Sequence, residues 1–298
     1  SFGVSCDYTK PAAECARIVV AEVNKQMPFI GGDNLIHVTK LDYIVPVDRP
    51  LVEIPPAPIG EVEQRIGEIC AELIEDGDTL QIGIGAIPDA VLQCLKGRKD
   101  LGLHTEMFTD GVMHMIQSGH VTGEKKTLHH RKVASSIIMG SKALYDFIDH
   151  NEMIEMYPVN HMNDPYVIGQ NDRMVSINSC LEIDLYGQVA SEAIGLEQFS
   201  GTGGQVDYLR GAKRSRGGRS ILAFTSTAKG GTVSRIVPVL PPGATVTSGR
   251  NEVDYIATEY GAVRLRGLTL RERALALVSI AHPDFRPGLM AAIEERFS

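Results

Sequence analysis

At 298 residues, with 43% apolar and 22% charged side chains, the chain is long enough to bury one large core or two smaller ones, and its composition excludes a disordered protein. A net charge of −8 argues against nucleic-acid binding, which calls for a basic face, but leaves room for a local pocket that holds an anion. Five cysteines without a CxxC pair point to a reducing compartment and away from a disulfide framework or a zinc site; with no run of ~18 apolar residues and no leader pattern, a cytoplasmic protein without a membrane segment is expected.

The opening Ser1-Phe2-Gly3-Val4-Ser5 lacks Met and already patterns as a strand. The chain is therefore expected to be the C-terminal portion of a longer polypeptide; Met removal ahead of a small Ser is the simpler alternative. A helix is predicted from Thr9 to Lys25, with Thr9 as cap, Pro11 in the first turn and Ala12, Cys15, Ala16, Val19 and Val23 along one stripe. Short strands are predicted at Leu35–Val38 and Tyr43–Val45. The proline-rich stretch from Asp48-Arg49-Pro50 to Pro58 reads as a linker. It divides residues 1–58, the end of a first α/β domain, from a second domain over 59–298.

Beyond the linker, helix and strand alternate. Val62, Ile66, Ile69, Leu73 and Ile74 form a helix face, and Leu80-Gln81-Ile82 a strand that runs into Gly83-Ile84-Gly85-Ala86-Ile87-Pro88. A helix follows from Asp89 to Lys96, then a strand over Leu101–Phe108 and a helix capped by Thr109 or Asp110 and ending at Gly119. Ala134–Met139, Ser141–Asp149 and Met153–Tyr157 continue as strand, helix, strand. This order predicts an α/β fold with a mostly parallel sheet flanked by helices. From Met174 strands dominate, at Met174–Asn178, Leu181–Leu185, Ser220–Thr225, Thr232–Val239 and Tyr255–Thr258. Thr269-Leu270-Arg271-Glu272 is a capping box before a helix over Ala274–Ala281, and Pro287 opens the last helix.

Three glycine clusters suit an anion or an oxyanion: Gly83–Pro88, Gly201-Thr202-Gly203-Gly204 and Lys229-Gly230-Gly231. None is GxGxxG or a P-loop, and each alone also reads as a tight turn. Glu106 stands near the C-terminal end of a predicted strand, the edge at which open α/β sheets bind ligands. There a carboxylate can be nucleophile, base or metal ligand. His104, Glu106 and His114 do not match HExxH spacing, so no metal site is expected. Cys180 reads as a buried structural thiol, and His129-His130 as a solvated pair in a basic loop. The basic run Arg210, Lys213, Arg214, Arg216 and Arg219 reads either as an exposed loop or as a partner for a nucleotide.

Six ordered segments carry a resemblance. They are Gly83–Pro88, Leu103-His104-Thr105-Glu106-Met107, Glu182-Ile183-Asp184-Leu185-Tyr186-Gly187-Gln188-Val189, Ser200–Gly204, Ala228-Lys229-Gly230-Gly231 and Thr258-Glu259-Tyr260-Gly261-Ala262-Val263. The chain resembles the acetyl-CoA hydrolase/4-hydroxybutyrate CoA-transferase group of class I CoA-transferases, with roughly the first third of such a protein missing. The resemblance implies two related α/β domains with acyl-CoA between them, and here a complete C-terminal domain preceded by the end of the first. It implies Glu106 as catalytic nucleophile and Asn160 as an oxyanion or carboxylate-orienting group. It implies CoA contacts at Gly83, Ile84, Gly85, Ala86, Ile87, Leu181, Gly204 and Lys229. Glu182 and Asp184 rank below Glu106, because their alternation also reads as structural. The activity implied is ping-pong CoA transfer between a short-chain acyl-CoA (acetyl, butyryl or 4-hydroxybutyryl) and a carboxylic acid, with no tightly bound cofactor and a homodimer or other homo-oligomer as the assembly. An acetyl-CoA hydrolase using the same glutamate and a non-catalytic acyl-CoA-binding module are the alternatives.

Overall fold

The alternation of helix and strand beyond residue 60 builds a nine-stranded sheet. The structure, a computed structural model, describes residues 1–297. In chain order the first elements are α1 (Thr9–Cys15), β1 (Val20–Asn24), β2 (Gly31–Gly32), β3 (Tyr43–Val47), α2 (Glu61–Glu72), β4 (Thr79–Ile82), α3 (Ala86–Cys94), β5 (Gly102–Phe108) and α4 (Asp110–Gln117). They are followed by β6 (Val133–Ile138), α5 (Lys142–Ile148), β7 (Ile154–Met156), α6 (Val159–Met162), α7 (Pro165–Ile168), β8 (Met174–Asn178) and α8 (Gln205–Arg214). Across the sheet the order is Gly261–Arg264, Tyr255–Thr258, Arg219–Ala223, β8, β4, β5, β6, β7, β2. Every pairing is parallel except that between Tyr255–Thr258 and Gly261–Arg264.

Parallel crossovers are right-handed, so the direction of travel decides which face each helix covers. From β4 to β7 the chain steps one strand at a time, and α3, α4 and α5 pack side by side with α2 on one face. From β7 it returns past β6, β5 and β4 to β8, and this reversed step carries α6 and α7 to the other face, where α8 joins them. Covered on both faces, the central strands are buried throughout β4 and almost throughout β6. Leu80, Leu95, Leu103, Phe108 and Ile177 anchor the main core, each such burial stabilising by ~1.5–3 kcal/mol. A second cluster joins Leu209, Leu222 and Phe224 to the late helices α9 (Leu270–Ser279) and α10 (Arg286–Phe297). Cys6 and Ile30 belong to the main core, and residues 50–60 carry no regular structure.

At the N-terminal edge of the sheet Asp78 is fully buried and paired with Arg173 at 2.9 Å and with Arg219. It thereby ties the starts of three neighbouring strands together.

The structure departs from the predicted elements in five places. Ser1–Ser5 forms a turn with an isolated bridge from Ser5 to Ile137 rather than a strand. The helix from Thr9 stops at Cys15, and Val20–Asn24 is a strand parallel to Tyr43–Val47. The β-branched run Ile18-Val19-Val20 loses side-chain freedom in a helix and suits a strand. Over Leu35–Val38 there is no strand, and Val38–Lys40 forms a single 3-10 turn. The segment predicted as one strand at Thr232–Val239 is two short ones, Val233–Ser234 and Ile236–Val237. Arg210, Lys213 and Arg214 lie on α8 rather than in a loop, because Tyr208, Leu209 and Ala212 give that segment a buried face.

Candidate active site

Glu106 occupies the C-terminal end of β5. Side chains alternate along a strand, so His104 and Glu106 face α6 and α8, whereas Met107 faces the α3–α4 side. The carboxylate is half-buried. Its Oε2 accepts a hydrogen bond from Asn163 Nδ2 at 2.9 Å, and the Gly204 backbone lies directly against the carboxylate. Gly204 is the N-cap of α8, so the carboxylate sits where helical N–H groups have no helical partner. A Cβ on Gly204 would overlap the Glu106 carboxylate and stand 2.5 Å from Asn163 Nδ2, so any larger residue would force one or both of these side-chain ends to move. Burial pushes the Glu106 carboxyl above its ordinary value. The Asn163 hydrogen bond opposes this, Asp7 and Asp207 add to it through their charge, and the Gly204 N–H draws it back. Behind the carboxylate, the Glu106 carbonyl accepts from Ser135 Oγ at 3.0 Å and Ser136 Oγ at 3.2 Å, which holds the strand end in place.

Asn160 is exposed in α6 and makes no hydrogen bond to Glu106 among the described residues. The amide that reaches the carboxylate belongs to Asn163, the C-cap of that helix. The difference between the two asparagines has a geometric cause. A helix of four residues presents Asn160 to solvent in its first turn and brings the capping Asn163 inward. The Asn163-Asp164-Pro165 turn signal, with Asp164 capping α7, was the available clue.

The first glycine loop runs from β4 into α3. Gly83 donates its N–H to the Ile177 carbonyl at 3.0 Å, which commits that amide to the fold. Gly85 takes a φ of +112° at the N-cap of α3, with open space beyond it. Ala86 and Ile87 supply first-turn amides, and Pro88 has none to supply. Ile84–Ile87 and Leu181 line one cleft of 330 Å³ together with Ser179, Ser191 and Arg235. Lys229 lies outside this lining, exposed, in a left-handed conformation with φ +50°. Arg235 was not foreseen from the sequence. It is half-buried with no hydrogen bond or carboxylate on its guanidinium among the described residues.

Other readings resolve by burial. Cys180 is buried, which raises its thiol. Asp184 is buried in a turn, accepting from the Tyr186 and Gln188 amides at 3.0 and 2.9 Å. Glu182 is buried on the same short strand. His129 is not solvated: its Nδ1 meets Tyr157 Oη at 3.1 Å and its Nε2 meets His161 Nε2 at 3.0 Å. Burial and the neighbouring Lys126 lower it to about 4. A larger cleft of 920 Å³, on the α3–α4 side, is lined by Ile54–Ala57, Ile84, Met107 and Met115 among others, and does not include Glu106.

A carboxylate at the C-terminal edge of a mostly parallel sheet, beside a side-chain amide and a helix N-terminus, stands where open α/β sheets bind their ligands. The chain belongs to the acetyl-CoA hydrolase/transferase family. Its C-terminal domain profile matches residues 140–293 and its N-terminal domain profile residues 1–56. Relatives include 4-hydroxybutyrate coenzyme A transferase of Clostridium kluyveri, 59% identical over 100% of this chain and 69% of its own length. The crystal structure of 4-hydroxybutyrate CoA-transferase from Porphyromonas gingivalis matches with a TM-score of 0.90 at 64% identity, over 100% of this chain and 71% of that one. RipA from Yersinia pestis matches with a TM-score of 0.94 at 43% identity, over 99% of this chain and 67% of that one. The chain thus spans about two thirds of the length of the proteins it matches. No helix among the described residues is long and apolar enough to cross a membrane.

Proposed function

We propose that the chain carries the nucleophile of a CoA-transferase that moves CoA between a short-chain acyl-CoA and a carboxylic acid, with Glu106 as the attacking group. The observation that carries this reading is the setting of Glu106: a half-buried carboxylate, raised in basicity, with the Asn163 amide hydrogen-bonded to it and the Gly204 backbone against it. Glu106 attacks the acyl carbonyl, the thioester C–S bond breaks, and CoA leaves as thiolate from an acyl-glutamyl anhydride. The thiolate returns to the glutamyl carbonyl, expelling the first carboxylate and leaving a glutamyl-CoA thioester. A second carboxylate attacks that thioester and the steps reverse. As charge moves off Glu106 in the attack, the Gly204 N–H and the Asn163 amide are released to a developing oxyanion, where one such donor is worth ~3 kcal/mol.

The Ala86 and Ile87 amides, Leu181 and Arg235 supply a surface for CoA, Arg235 as the cation for a phosphate; Gly204 and Lys229 are further CoA contacts. Acetyl-, butyryl- and 4-hydroxybutyryl-CoA are the substrates in view, because relatives include a 4-hydroxybutyrate coenzyme A transferase and a butyryl-CoA:acetate CoA-transferase from Anaerostipes caccae. The same reading takes 1–58 as the end of a first domain, 59–298 as the second, and the enzyme as a cytoplasmic homodimer.

Incubation of the complete polypeptide with acyl-CoA followed by borohydride tests the proposal. Mass spectrometry is expected to find the modification on Glu106, and Glu106→Ala to abolish both labelling and transfer. Labelling at Glu182 or Cys180, or transfer by Glu106→Ala, overturns it. Free CoA released without transfer to added acetate identifies a hydrolase instead.

A further inference from the structure

Three elements supply the groups around the Glu106 carboxylate: its own strand β5, α6 through Asn163, and α8 through Gly204. One layer deeper the same three elements meet at a single atom, the carbonyl oxygen of Met162. His104 Nε2 lies 3.0 Å from it and Tyr208 Oη 3.1 Å. His104 precedes Glu106 by two residues, so both side chains leave the same face of β5. Tyr208 follows Gly204 by four, one turn along the same face of α8. Met162 immediately precedes Asn163. His104 and Met162 are fully buried, and Tyr208 is 1% exposed.

The physical need for this junction follows from the length of α6. Four residues are too few for a helix to hold itself by its own hydrogen bonds. Its last carbonyls have no partner within the helix, and the Met162 carbonyl is one of them. Two side-chain donors from the neighbouring elements satisfy it. A carbonyl only accepts, so His104 carries its proton on Nε2. Nδ1 is then the bare nitrogen, and it is the ring atom left without a partner in the interior. Burial, with Lys126 acting in the same direction, keeps this imidazole well below its ordinary pKa and neutral.

We propose that His104 and Tyr208 are positioning residues for Glu106: by binding the Met162 carbonyl from β5 and α8, they set where Asn163 and Gly204 stand relative to the carboxylate. The inference rests on the reading of Glu106 as nucleophile. Neither side chain acts on the acyl group; both act through the two donors.

The test uses the complete polypeptide and four measurements: kcat, KM for acyl-CoA, the single-turnover rate of Glu106 acylation, and Tm. Tyr208→Phe removes one hydroxyl and keeps the ring. It is expected to lower kcat and the acylation rate about ten-fold, with KM for acyl-CoA within about two-fold, as a small misplacement of reacting groups does. His104→Leu is expected to lose about a hundred-fold, and His104→Gln, which restores a donor at similar reach, to recover about ten-fold of that. The double variant Tyr208→Phe/His104→Leu is expected to lose less than the product of the single losses, since both donors share one acceptor. Full kcat in Tyr208→Phe overturns the proposal, as does an equal loss in the Leu and Gln variants. If His104→Leu fails to fold, Tyr208→Phe decides alone. Transfer by Glu106→Ala would instead overturn the nucleophile itself, a result the positioning variants do not mimic.

Discussion

Gly204→Ala adds one methyl group at the point where the proposed nucleophile Glu106, its amide partner Asn163 and the N-terminus of α8 converge. The backbone there has φ −88°, which alanine adopts without strain, so the perturbation is one of space. The new Cβ would stand 2.5 Å from Asn163 Nδ2 and would overlap the Glu106 carboxylate. Ordinary contact between such atoms is about 3.5 Å, so the neighbours must yield by about 1 Å. Asn163 cannot withdraw by that much and keep its 2.9 Å hydrogen bond, and the Glu106 carboxylate is pushed off its line of attack. A displacement of that size costs about a hundred-fold in rate. Glycine to alanine at an N-cap destabilises by only about 1 kcal/mol. The expected result is therefore a folded protein with a small fall in Tm and kcat for CoA transfer down about a hundred-fold. A kcat within two-fold of the parent would refute the claim that Gly204 holds the carboxylate in place.

Three further outcomes are expected. Glu106 has a raised pKa in the folded state, so its contribution to stability is present at acid pH and is lost as pH rises through that folded pKa. Glu106→Gln should thus melt at a higher temperature than the parent at pH 7.5, with the gap closing below the ordinary carboxylate range; thermal melts across pH check this, and a gap independent of pH contradicts it. Asn163→Ala should lower kcat by 10²–10³-fold, as loss of a donor to developing charge does, whereas Asn160→Ala should stay within about two-fold of the parent. Steady-state kinetics of the pair distinguishes them. Arg235→Ala should raise KM for acyl-CoA by about ten-fold, the order of one charge-assisted hydrogen bond, and leave kcat nearly unchanged. A changed kcat at constant KM would assign Arg235 elsewhere.

The central strands and the edge carrying Glu106 were legible because period and punctuation agreed there. Gly83, Gly85 and Pro88 mark the turn from β4 into α3, and the helices after it alternate regularly with buried strands. Local pattern alone left Glu106 as one acid at a strand end, and only the ordered family motifs singled it out as the proposed nucleophile. Asn163 escaped because α6 and α7 have four residues each, fewer than any periodic signal needs. The stripe from Ala12 to Val23 fits a helix until β3 offers a strand partner, and only tertiary structure decides between them. Likewise, His129 looked solvated among Lys and Arg neighbours, since Tyr157 and His161 reach it from 28 and 32 residues away.

Asp78 has a consequence for how faithfully the sheet assembles. It joins Arg173 and Arg219, residues 95 and 141 positions further along the chain, so the charges meet only when three strands start level with one another. If β8 slipped along β4 by one residue, its guanidinium would be carried away from the buried carboxylate and every side chain of the slipped strand would turn to the wrong face. An unpaired charge buried there would cost several kcal/mol, so slipped alignments are penalised. The alignment of the edge that carries Glu106 is in this sense proofread at the opposite end of the sheet.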